Sequence, residues 1–401
     1  MNKIAILKNP VLDYAWGSRT FIPQLTGEPH PAGKPLAELW MGAHPKAPSM
    51  VFMDGGWVSL LELIQNNPED ILGKSVAERF SNKLPFLFKV LAITKSLSIQ
   101  AHPDMSQAID GFRRENSLKL SLNAPNRNYR DENHKPELIC ALRPLWALKG
   151  FRRAGDIVAL LNKITGSSLK SELCVLQEFL KKKGLRGFFN ALMNMDRERK
   201  NQIIAEVMTY GEKNSGADLI FEWVVRLNQE YPGDIGVLSP IFMNLVQLQP
   251  GEAIYIPAGE LHAYLEGAGI ELMANSDNVL RGGLTPKHID VPELLTVLEF
   301  SSSRLDIIRP ENKETGESIF CAPAKEFILS VISVNDGLIY KGPLKRSVEI
   351  MICVEGDSHI KDLGSGEVLL LKRGTSIIIP SAVRQYAIKG RASIYKGAVP
   401  L

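Results

Sequence analysis

A short motif that occurs twice constrains the fold of this chain more than any other sequence feature. Residues 251–257 read GEAIYIP and residues 374–380 read GTSIIIP, so a turn glycine, three apolar positions and a proline recur 123 residues apart. A repeated turn–strand–turn unit is typical of two related small β-barrels, although chance recurrence of so short a motif is the alternative. In the same register His262 lies opposite Gln385, so the second copy lacks that histidine.

The segments around the two motifs alternate between β and helical patterns. Up to about residue 152, and again from residue 241, short apolar runs separated by Gly, Pro and Asn predict mainly β structure. Between these regions apolar residues recur at i, i+4, i+7 and i+11, which predicts helices with one apolar face each. The two series are Leu169, Leu173, Leu176, Leu180 and Ile220, Val224, Leu227, Tyr231. A polar stretch at residues 309–318 predicts a linker before the last β region.

Length and charge balance exclude several classes of protein. The 401 residues are too many for one ordinary hydrophobic core, so we expect two or three domains. Lys and Arg number 47 against 44 Asp and Glu, so no global field favours nucleic acid or an anionic membrane. The four cysteines form no C-x-x-C pair, and no stretch approaches the roughly 18 apolar residues of a membrane span. We therefore predict a cytoplasmic protein with no nucleic-acid or membrane partner and no obligatory protein partner evident.

Four polar residues in the β regions form a candidate metal site. Gln100 and His102 follow a strand-like run, and residues i and i+2 of a strand point to the same face. Glu137 ends the polar segment YRDENHKPE, and His262 comes directly after a Pro-Ala-Gly turn. Two imidazoles, a carboxylate and an amide oxygen suit zinc with room left for a substrate. Each residue alone is also compatible with a solvated or hydrogen-bonded side chain, and spacing does not decide between the two.

Residues 271–287 supply a second candidate binding element. Gly282 and Gly283 let the backbone approach a ligand closely, while Arg281 and Lys287 supply cations. A guanidinium suits a planar oxyanion or a phosphate. A solvated loop with ordinary surface charges is the alternative for this segment taken alone.

Two long segments resemble known family signatures. Residues 129–137 fit Y-x-D-x-N-H-K-P-E, and residues 262–287 fit H-A-Y-x-x-G followed by S-D-N-x-x-R-x-G-x-T-P-K. Both are similar to the signatures of type I mannose-6-phosphate isomerases, also called phosphomannose isomerases, of the cupin superfamily. Residues 13–17 and 38–45 also resemble that family.

The resemblance implies a mainly β fold with a cupin-type β-barrel (jelly roll) as catalytic domain. An α-helical domain would be inserted into it, and a second, degenerate cupin-like domain would follow without metal. The corresponding divisions are residues 1–152 plus 236–310, residues 153–235 and residues 311–401.

The resemblance also implies an activity and a set of site residues. The activity is reversible conversion of D-mannose 6-phosphate to D-fructose 6-phosphate, with one zinc per chain and no redox cofactor. Arg281 matches the residue usually assigned to the active site. The implied zinc ligands are Gln100, His102, Glu137 and His262, and the implied substrate or phosphate contacts are Lys89, Ser98, Lys135 and Lys287.

The chemistry of such a reaction suggests roles for further residues. Moving a proton between C1 and C2 passes through an enediol or enediolate, whose negative oxygen Arg281 could stabilise. We expect His134 to be the base, with Glu271 as its rival, because a base needs a pKa near the operating pH and reach to the carbon-bound proton. Lys135 would carry protons between oxygens or hold the sugar. Ser98 and Lys287 are the first candidates for the phosphate, and Asp277 is a further predicted substrate contact.

Two other classes of function stay open at this point. A site of two histidines and one carboxylate could hold Fe(II) for dioxygen chemistry, although the two signature segments would then have no role. A metal cupin could also bind sugars without turning them over.

Overall fold

The computed structural model describes residues 1–28, 33–53, 55–164, 169, 172, 176, 182–302, 304–312, 316–335 and 337–401. Its strands form two antiparallel sheets, and half of its described helices lie in one block between residues 154 and 242. Strands and helices are numbered separately in chain order below. Among the described helices, none is both long and apolar enough to cross a membrane.

The first sheet carries the candidate metal ligands and has ten strands in the order β10-β9-β12-β6-β3-β2, with β7, β8, β11 and β13 attached. Strand β12 is its centre, because it pairs with β6, β7, β8 and β9. The strands are β2 (Val11–Leu12), β3 (Glu38–Met41), β6 (Phe86–Ile93), β7 (Ile99–Ala101), β8 (Glu137–Ala141), β9 (Leu145–Phe151), β10 (Met243–Leu248), β11 (Ala253–Ile256), β12 (His262–Ala274) and β13 (Leu280–Gly283).

The second sheet has eleven strands in the order β14-β15-β16-β21-β18-β20-β1-β4-β5, with β17 and β19 attached. Its N-terminal strand β1 pairs with β20, so the two ends of the chain meet in one sheet. The strands are β1 (Ala5–Lys8), β4 (Met50–Met53), β5 (Gly56–Ser59), β14 (Glu311–Asn312), β15 (Glu317–Phe320), β16 (Ile328–Val334), β17 (Tyr340–Lys341), β18 (Glu349–Asp362), β19 (Val368–Lys372), β20 (Ser376–Ile379) and β21 (Tyr386–Ala398).

The repeated motif forms the same local structure in both sheets. Strands β11 and β20 cover equivalent positions of its two copies. Each strand follows a turn whose glycine has a positive φ, 86° at Gly251 and 84° at Gly374, a conformation that glycine adopts without strain. The turn and strand predicted from the repeat are therefore present in each half of the chain.

The helical block lies between β9 and β10. Two of its helices, α8 and α9, begin at capping aspartates: Asp196 accepts a hydrogen bond from the backbone of Arg199, and Asp218 from that of Ile220. Val224 and Leu227 are buried, as the second apolar series predicts. Leu173 and Leu180 of the first series lie outside the described residues. The block consists of α6 (Ala154–Leu161), α7 (Lys182–Met193), α8 (Arg197–Asn214), α9 (Leu219–Glu230), a 3₁₀ helix (Ile235–Leu238) and α10 (Ser239–Phe242).

The remaining helices lie outside the block, and both family-like signatures lie in the first sheet and its loops. These helices are α1 (Phe21–Thr26), α2 (Leu60–Asn66), α3 (Pro68–Leu72), α4 (Lys74–Arg79), α5 (Met105–Ser117) and α11 (Val291–Val297). The division of the chain into domains at residues 152, 235 and 310 stays a prediction.

Side-chain alternation along the strands separates the core from the site. All eight residues of β6 are buried, but Phe88 and Val90 pack in the core shared by the two sheets, while Leu91 faces the interior of the first sheet. Strand β8 behaves in the same way, with Leu138 in the shared core and Ile139 in the interior. Polar residues at interior positions therefore converge inside the first sheet.

Candidate metal centre and active site

A cavity of about 90 Å³ lies inside the first sheet and holds most of the candidate residues. A larger cavity of about 350 Å³ lies between β1 and the turn before β20, but its described lining contains one carboxylate, Glu28, and no histidine. We therefore place the chemistry in the smaller cavity. Its polar lining includes Glu38, Lys89, Ser98, Gln100, Lys135, Glu137, His262 and Glu271.

A bulge in β12 brings residues of opposite parity into this cavity. His262 and Tyr264 share one face of the strand, whereas Glu271, an odd number of positions further on, would ordinarily lie on the other. The pairing of β12 with β9 shifts register between Tyr264 and Glu266. An extra residue in one strand reverses the inside–outside pattern beyond it. All three side chains consequently line the cavity.

His102, Glu137 and His262 form a compact group of buried metal-ligating side chains. Nε2 of His102 lies 3.1 Å from Oε1 of Glu137, and Nε2 of His262 lies 3.4 Å from Oε2 of the same carboxylate. The three ligating atoms all lie within 4.8 Å of one another. The structure thus brings three of the four predicted ligands together.

The hydrogen bonds of the two histidines fix their tautomers. Nδ1 of His102 lies 2.7 Å from the carbonyl oxygen of Asn278, and Nδ1 of His262 lies 3.0 Å from that of Glu260. A carbonyl oxygen only accepts, so each Nδ1 carries the proton and each Nε2 keeps its lone pair. Both lone pairs are then directed at Glu137.

This arrangement fits a bound cation. Two nitrogen lone pairs facing a carboxylate repel it unless a positive charge lies between them. Burial, followed by the charge of Lys135, lowers the pKa of His102 to about 4, so a proton on that ring does not supply the charge near neutral pH. Neutral imidazoles backed by carbonyl acceptors and an ionised carboxylate are the donors that zinc takes in proteins.

Two further groups hold Glu137 in its ionised form. Lys135 Nζ lies 3.0 Å from Oε1, and the Tyr264 hydroxyl donates a 3.0 Å hydrogen bond to Oε2. Burial alone would raise the pKa of Glu137, but Lys135 and the other neighbours outweigh it and hold that pKa well below its usual value. The deprotonated form is the one that ligates a metal.

Gln100 lies beside the group on the neighbouring strand. It pairs with His262 between β7 and β12, and its amide Nε2 donates a 3.1 Å hydrogen bond to Oγ of Ser98. Gln100, Ser98 and Glu137 all line the cavity. Its role as fourth ligand stays a prediction.

The cavity lining also contains a buried ion-pair cluster. Lys89 Nζ lies 2.9 Å from Oε2 of Glu271 and 3.5 Å from Oε2 of Glu38. Burial by itself would lower the pKa of Lys89, but these two carboxylates raise it, so the ammonium stays charged. Burial raises the pKa of Glu271, and Lys89 offsets only part of that effect. Glu271 is therefore a carboxyl group whose pKa is displaced towards neutrality.

A group of cations lies on the other side of Gln100. Arg281 pairs with Gln100 between β13 and β7. Burial and then the charge of Arg130 lower the pKa of Arg281, while burial, Arg281 and Arg130 lower that of Lys287. Mutual repulsion of this kind marks a region of concentrated positive charge that an anion would neutralise. Sequence reasoning missed Arg130, because it occupies a variable position inside the first signature.

Asn278 connects the two signature segments. Its side-chain oxygen accepts hydrogen bonds from the backbone of Arg130, at 2.6 Å, and of Asp131. Its amide nitrogen donates to the carbonyl oxygens of Asp131 and Asn133, and its own carbonyl receives His102. One fully buried side chain therefore fixes both the Arg130 loop and a metal ligand.

Two predicted site residues are engaged outside the cavity lining. His134 Nε2 lies 2.9 Å from Oε1 of Glu326, which follows β15 in the last β region. Asp277 lies 2.8 Å from Lys46 Nζ and 3.6 Å from His44 Nε2. The structure thus groups Glu271 and Lys135 with the metal ligands but directs His134 and Asp277 to other partners.

The fold and the ligand set together define a cupin-type metalloprotein, as the family resemblance implies. Comparison with known proteins is more specific. The model of the type I phosphomannose isomerase catalytic domain matches residues 4–154, and the model of the helical insertion domain of that family matches residues 160–243.

Relatives and solved structures agree with the family models. The mannose-6-phosphate isomerase of Escherichia coli (strain K12) is 38% identical over 393 residues, which cover 97% of each chain. A crystal structure of a mutant phosphomannose isomerase from Salmonella typhimurium matches with a TM-score of 0.93 and 37% identity, over 99% of this chain and 100% of that one. A zinc-bound mannose 6-phosphate isomerase structure matches with a TM-score of 0.91 and 37% identity over the same shares. The chain belongs to the type I phosphomannose isomerase family, which confirms the family predicted from its sequence.

Proposed function

We propose that this chain is a zinc-dependent aldose–ketose isomerase that interconverts D-mannose 6-phosphate and D-fructose 6-phosphate. The observation that carries the proposal is the buried group of His102, Glu137 and His262 beside a cavity, with Arg281 paired to Gln100 of the cavity lining. The relatives named above bear the name of this activity. Neither an Fe(II) oxygenase nor a sugar-binding protein without turnover needs the cations and the displaced carboxyl group that accompany this site.

The metal has a defined chemical task in this proposal. A zinc ion held by His102, Glu137 and His262, with Gln100 as the predicted fourth ligand, would act as a Lewis acid toward an oxygen of the sugar. Tyr264 and Lys135 keep the Glu137 carboxylate oriented and ionised. One ion per chain is proposed, since Gln385 replaces the histidine in the second copy of the repeat.

Glu271 is the best-supported base for the transfer of a proton between C1 and C2. Its carboxyl group lines the cavity, and burial raises its pKa, which improves a carboxylate as a proton acceptor near neutral pH. Lys89 holds one oxygen of Glu271 at 2.9 Å and so orients the group. We therefore assign Lys89 to positioning the base. His134, the sequence-based first choice, remains the rival, although its Nε2 contacts Glu326.

Lys135 and Arg281 are proposed to stabilise the oxygens that gain charge during the reaction. Lys135 lines the cavity beside Glu137. Arg281 lies on β13, where it pairs with Gln100 of β7. Cations already in place when an enediolate forms require no reorganisation at that moment. Lys135 is also placed to hold a sugar hydroxyl.

The phosphate is proposed to bind where Arg130, Arg281 and Lys287 concentrate positive charge. Ser98 can add a hydroxyl donor from the cavity wall. Binding energy from the phosphate positions the reacting carbons, so a sugar without it should lose rate as well as affinity. Asp277 stays a predicted substrate contact; in the structure its carboxylate contacts Lys46 and His44.

The test is turnover of D-mannose 6-phosphate before and after chelation, followed by addition of zinc. We expect activity to disappear with the metal and to return with zinc. Full activity in a metal-free preparation would refute the metal assignment, and an intact zinc site without turnover would favour a sugar-binding protein. Cytoplasmic localisation and the lack of an obligatory protein partner stay predictions.

A further inference from the structure

We infer that Glu230 and Tyr231, at the end of helix α9 in the helical block, position the wall of the substrate cavity and, through it, Gln100. Neither residue lines the cavity, so we assign them a positioning role. The inference rests on the proposed function for its kinetic readout and on the structure alone for its geometry. It also gives the helical block a role in the active site.

Glu230 and Tyr231 hold both backbone polar groups of one residue in the first sheet region. The N–H of Ser96 donates a 2.8 Å hydrogen bond to Oε2 of Glu230, and the Tyr231 hydroxyl donates a 2.6 Å hydrogen bond to the carbonyl oxygen of Ser96. Ser96 is completely buried. Burial and then the charge of Glu230 raise the pKa of Tyr231 to about 12, so the phenol keeps the proton it donates.

Three further contacts carry this position into the site. The N–H of Leu97 donates a 2.9 Å hydrogen bond to the carbonyl oxygen of Tyr264, whose hydroxyl binds Glu137. Leu97 and Ser98 line the cavity, and Ser98 Oγ receives the amide of Gln100. A shift of Ser96 would therefore move a cavity wall and the orientation of a predicted ligand.

The same end of the block also reaches the phosphate side. Asp234 accepts hydrogen bonds from the backbone of Gly236, at 2.7 Å, and of Thr285, at 3.1 Å. Thr285 stands two residues before Lys287. The end of α9 and the turn after it thus contact two segments: the one that leads from Ser96 to Ser98, and the one that leads from Thr285 to Lys287. Ser98 and Lys287 are both proposed to bind the phosphate.

Helix α9 is anchored well enough to act as a support. Val224 and Leu227 are fully buried in the core of the block. Arg226 forms an ion pair with Glu266 of β12, next to the bulge that directs His262 and Glu271. Rigid support of this kind sets the precision of a site built on neighbouring strands.

The experiment compares four variants with two matched controls. Tyr231→Phe removes only the hydroxyl donor, and Glu230→Ala removes the acceptor, whereas Glu230→Gln keeps an acceptor oxygen. Tyr210→Phe is the control for the first, because Tyr210 packs on Phe221 within the block. Glu222→Ala, at an exposed position of α9, is the control for the second. The fourth variant combines Tyr231→Phe with Glu230→Ala.

Four quantities are measured for each full-length protein: kcat and KM for mannose 6-phosphate, the zinc dissociation constant from chelator competition, and the midpoint of thermal unfolding. Loss of one buried hydrogen bond predicts a fall in kcat/KM of about 3- to 10-fold for Tyr231→Phe and more for Glu230→Ala. We expect zinc to bind several-fold more weakly in the double variant and Glu230→Gln to recover most of the loss.

The controls separate positioning from simple stabilisation. If Tyr231→Phe and Glu230→Ala change only the unfolding midpoint and match Tyr210→Phe and Glu222→Ala in kinetics and zinc affinity, the inference is overturned. An unaltered chain that does not turn over mannose 6-phosphate would refute the proposed function instead. In that case the zinc dissociation constants still decide whether α9 positions the metal side of the cavity.

Discussion

Replacing Tyr264 by phenylalanine tests the hydrogen-bonded support of the metal centre most directly. The substitution removes one hydroxyl and leaves the ring in place against the interior core of the first sheet. That hydroxyl donates a 3.0 Å hydrogen bond to Oε2 of Glu137. Burial and then the charge of Glu137 raise the pKa of Tyr264 well above its ordinary value, so the native phenol is always a donor in the working pH range.

The size of the effect follows from the surroundings of Glu137. Its Oε1 keeps Lys135 at 3.0 Å, but Oε2 keeps only the His262 nitrogen at 3.4 Å, whose lone pair cannot donate. Bulk water has little access to this hydrogen bond, since Tyr264 is 4% exposed and Glu137 2%. A hydrogen bond to a buried charged group contributes about 1.5–3 kcal/mol, so a loss of about 2 kcal/mol corresponds to about 30-fold in zinc affinity. This value agrees with the loss of about 10- to 100-fold in metal affinity that is typical when a hydrogen-bond partner of a metal ligand is removed.

The assay is competition for zinc between the protein and a chromophoric chelator at fixed pH. Tyr255→Phe is the matched control, because Tyr255 lies on strand β11, which pairs with the Glu137 strand β8, and its own partner there is Leu138. We expect about 30-fold weaker zinc binding for Tyr264→Phe and no change for Tyr255→Phe. With zinc saturating, kcat should recover to within a few-fold of the native value. Equal zinc affinities for the two variants would refute the view that the Tyr264 hydroxyl holds the Glu137 carboxylate in position for the metal.

Three further predictions concern the reacting groups. Arg281→Lys should retain zinc yet lose about 10²- to 10³-fold in kcat, because an ammonium cannot reproduce a planar two-donor group. Lys287→Ala should mainly raise KM, and a change in KM alone for Arg281→Lys would assign Arg281 to phosphate binding instead of the chemical step. Glu271→Gln should abolish exchange of the C2 proton with solvent, while His134→Gln retains it; the opposite pattern would make His134 the base. Because burial raises the pKa of Glu271 and the base acts unprotonated, the acidic limb of the native kcat–pH profile should lie above 4.5, the ordinary pKa of a glutamate. Metal analysis should find one tightly bound zinc per chain, and two equivalent ions would contradict the assignment of Gln385 to a metal-free copy.

Local sequence patterns were sufficient for the groups that act within one strand or one turn. Gln100 and His102 are two residues apart on a predicted strand, so their common direction follows from strand geometry alone. The repeat predicts β11 and β20 because a turn glycine and a strand are both local features. Tyr264 could have been found by the same rule, since it lies two residues after His262 and shares its face.

Groups that depend on contacts between distant segments could not be predicted in this way. Arg130 contributes to the cationic group only because Asn278, almost 150 positions away in the chain, fixes the backbone of its loop. The contact of His134 with Glu326 depends on the packing of the last β region against the first. Neither partner is marked by a pattern at its own position, and a polar residue in a loop has the same sequence appearance with or without such a contact.

The bulge in β12 is a feature that the sequence-based preference for His134 over Glu271 could not take into account. Strict alternation places Glu271 on the opposite face from His262, which would put it in the core shared by the two sheets, where an ionisable group is disfavoured. His134, three positions before a predicted ligand, then looks like the better choice. The register shift between Tyr264 and Glu266 reverses this conclusion, because it turns Glu271 into the cavity and Leu272 into the core. A single extra residue in one strand, which no periodic pattern reveals, therefore determines that the Glu271 carboxyl group lines the cavity.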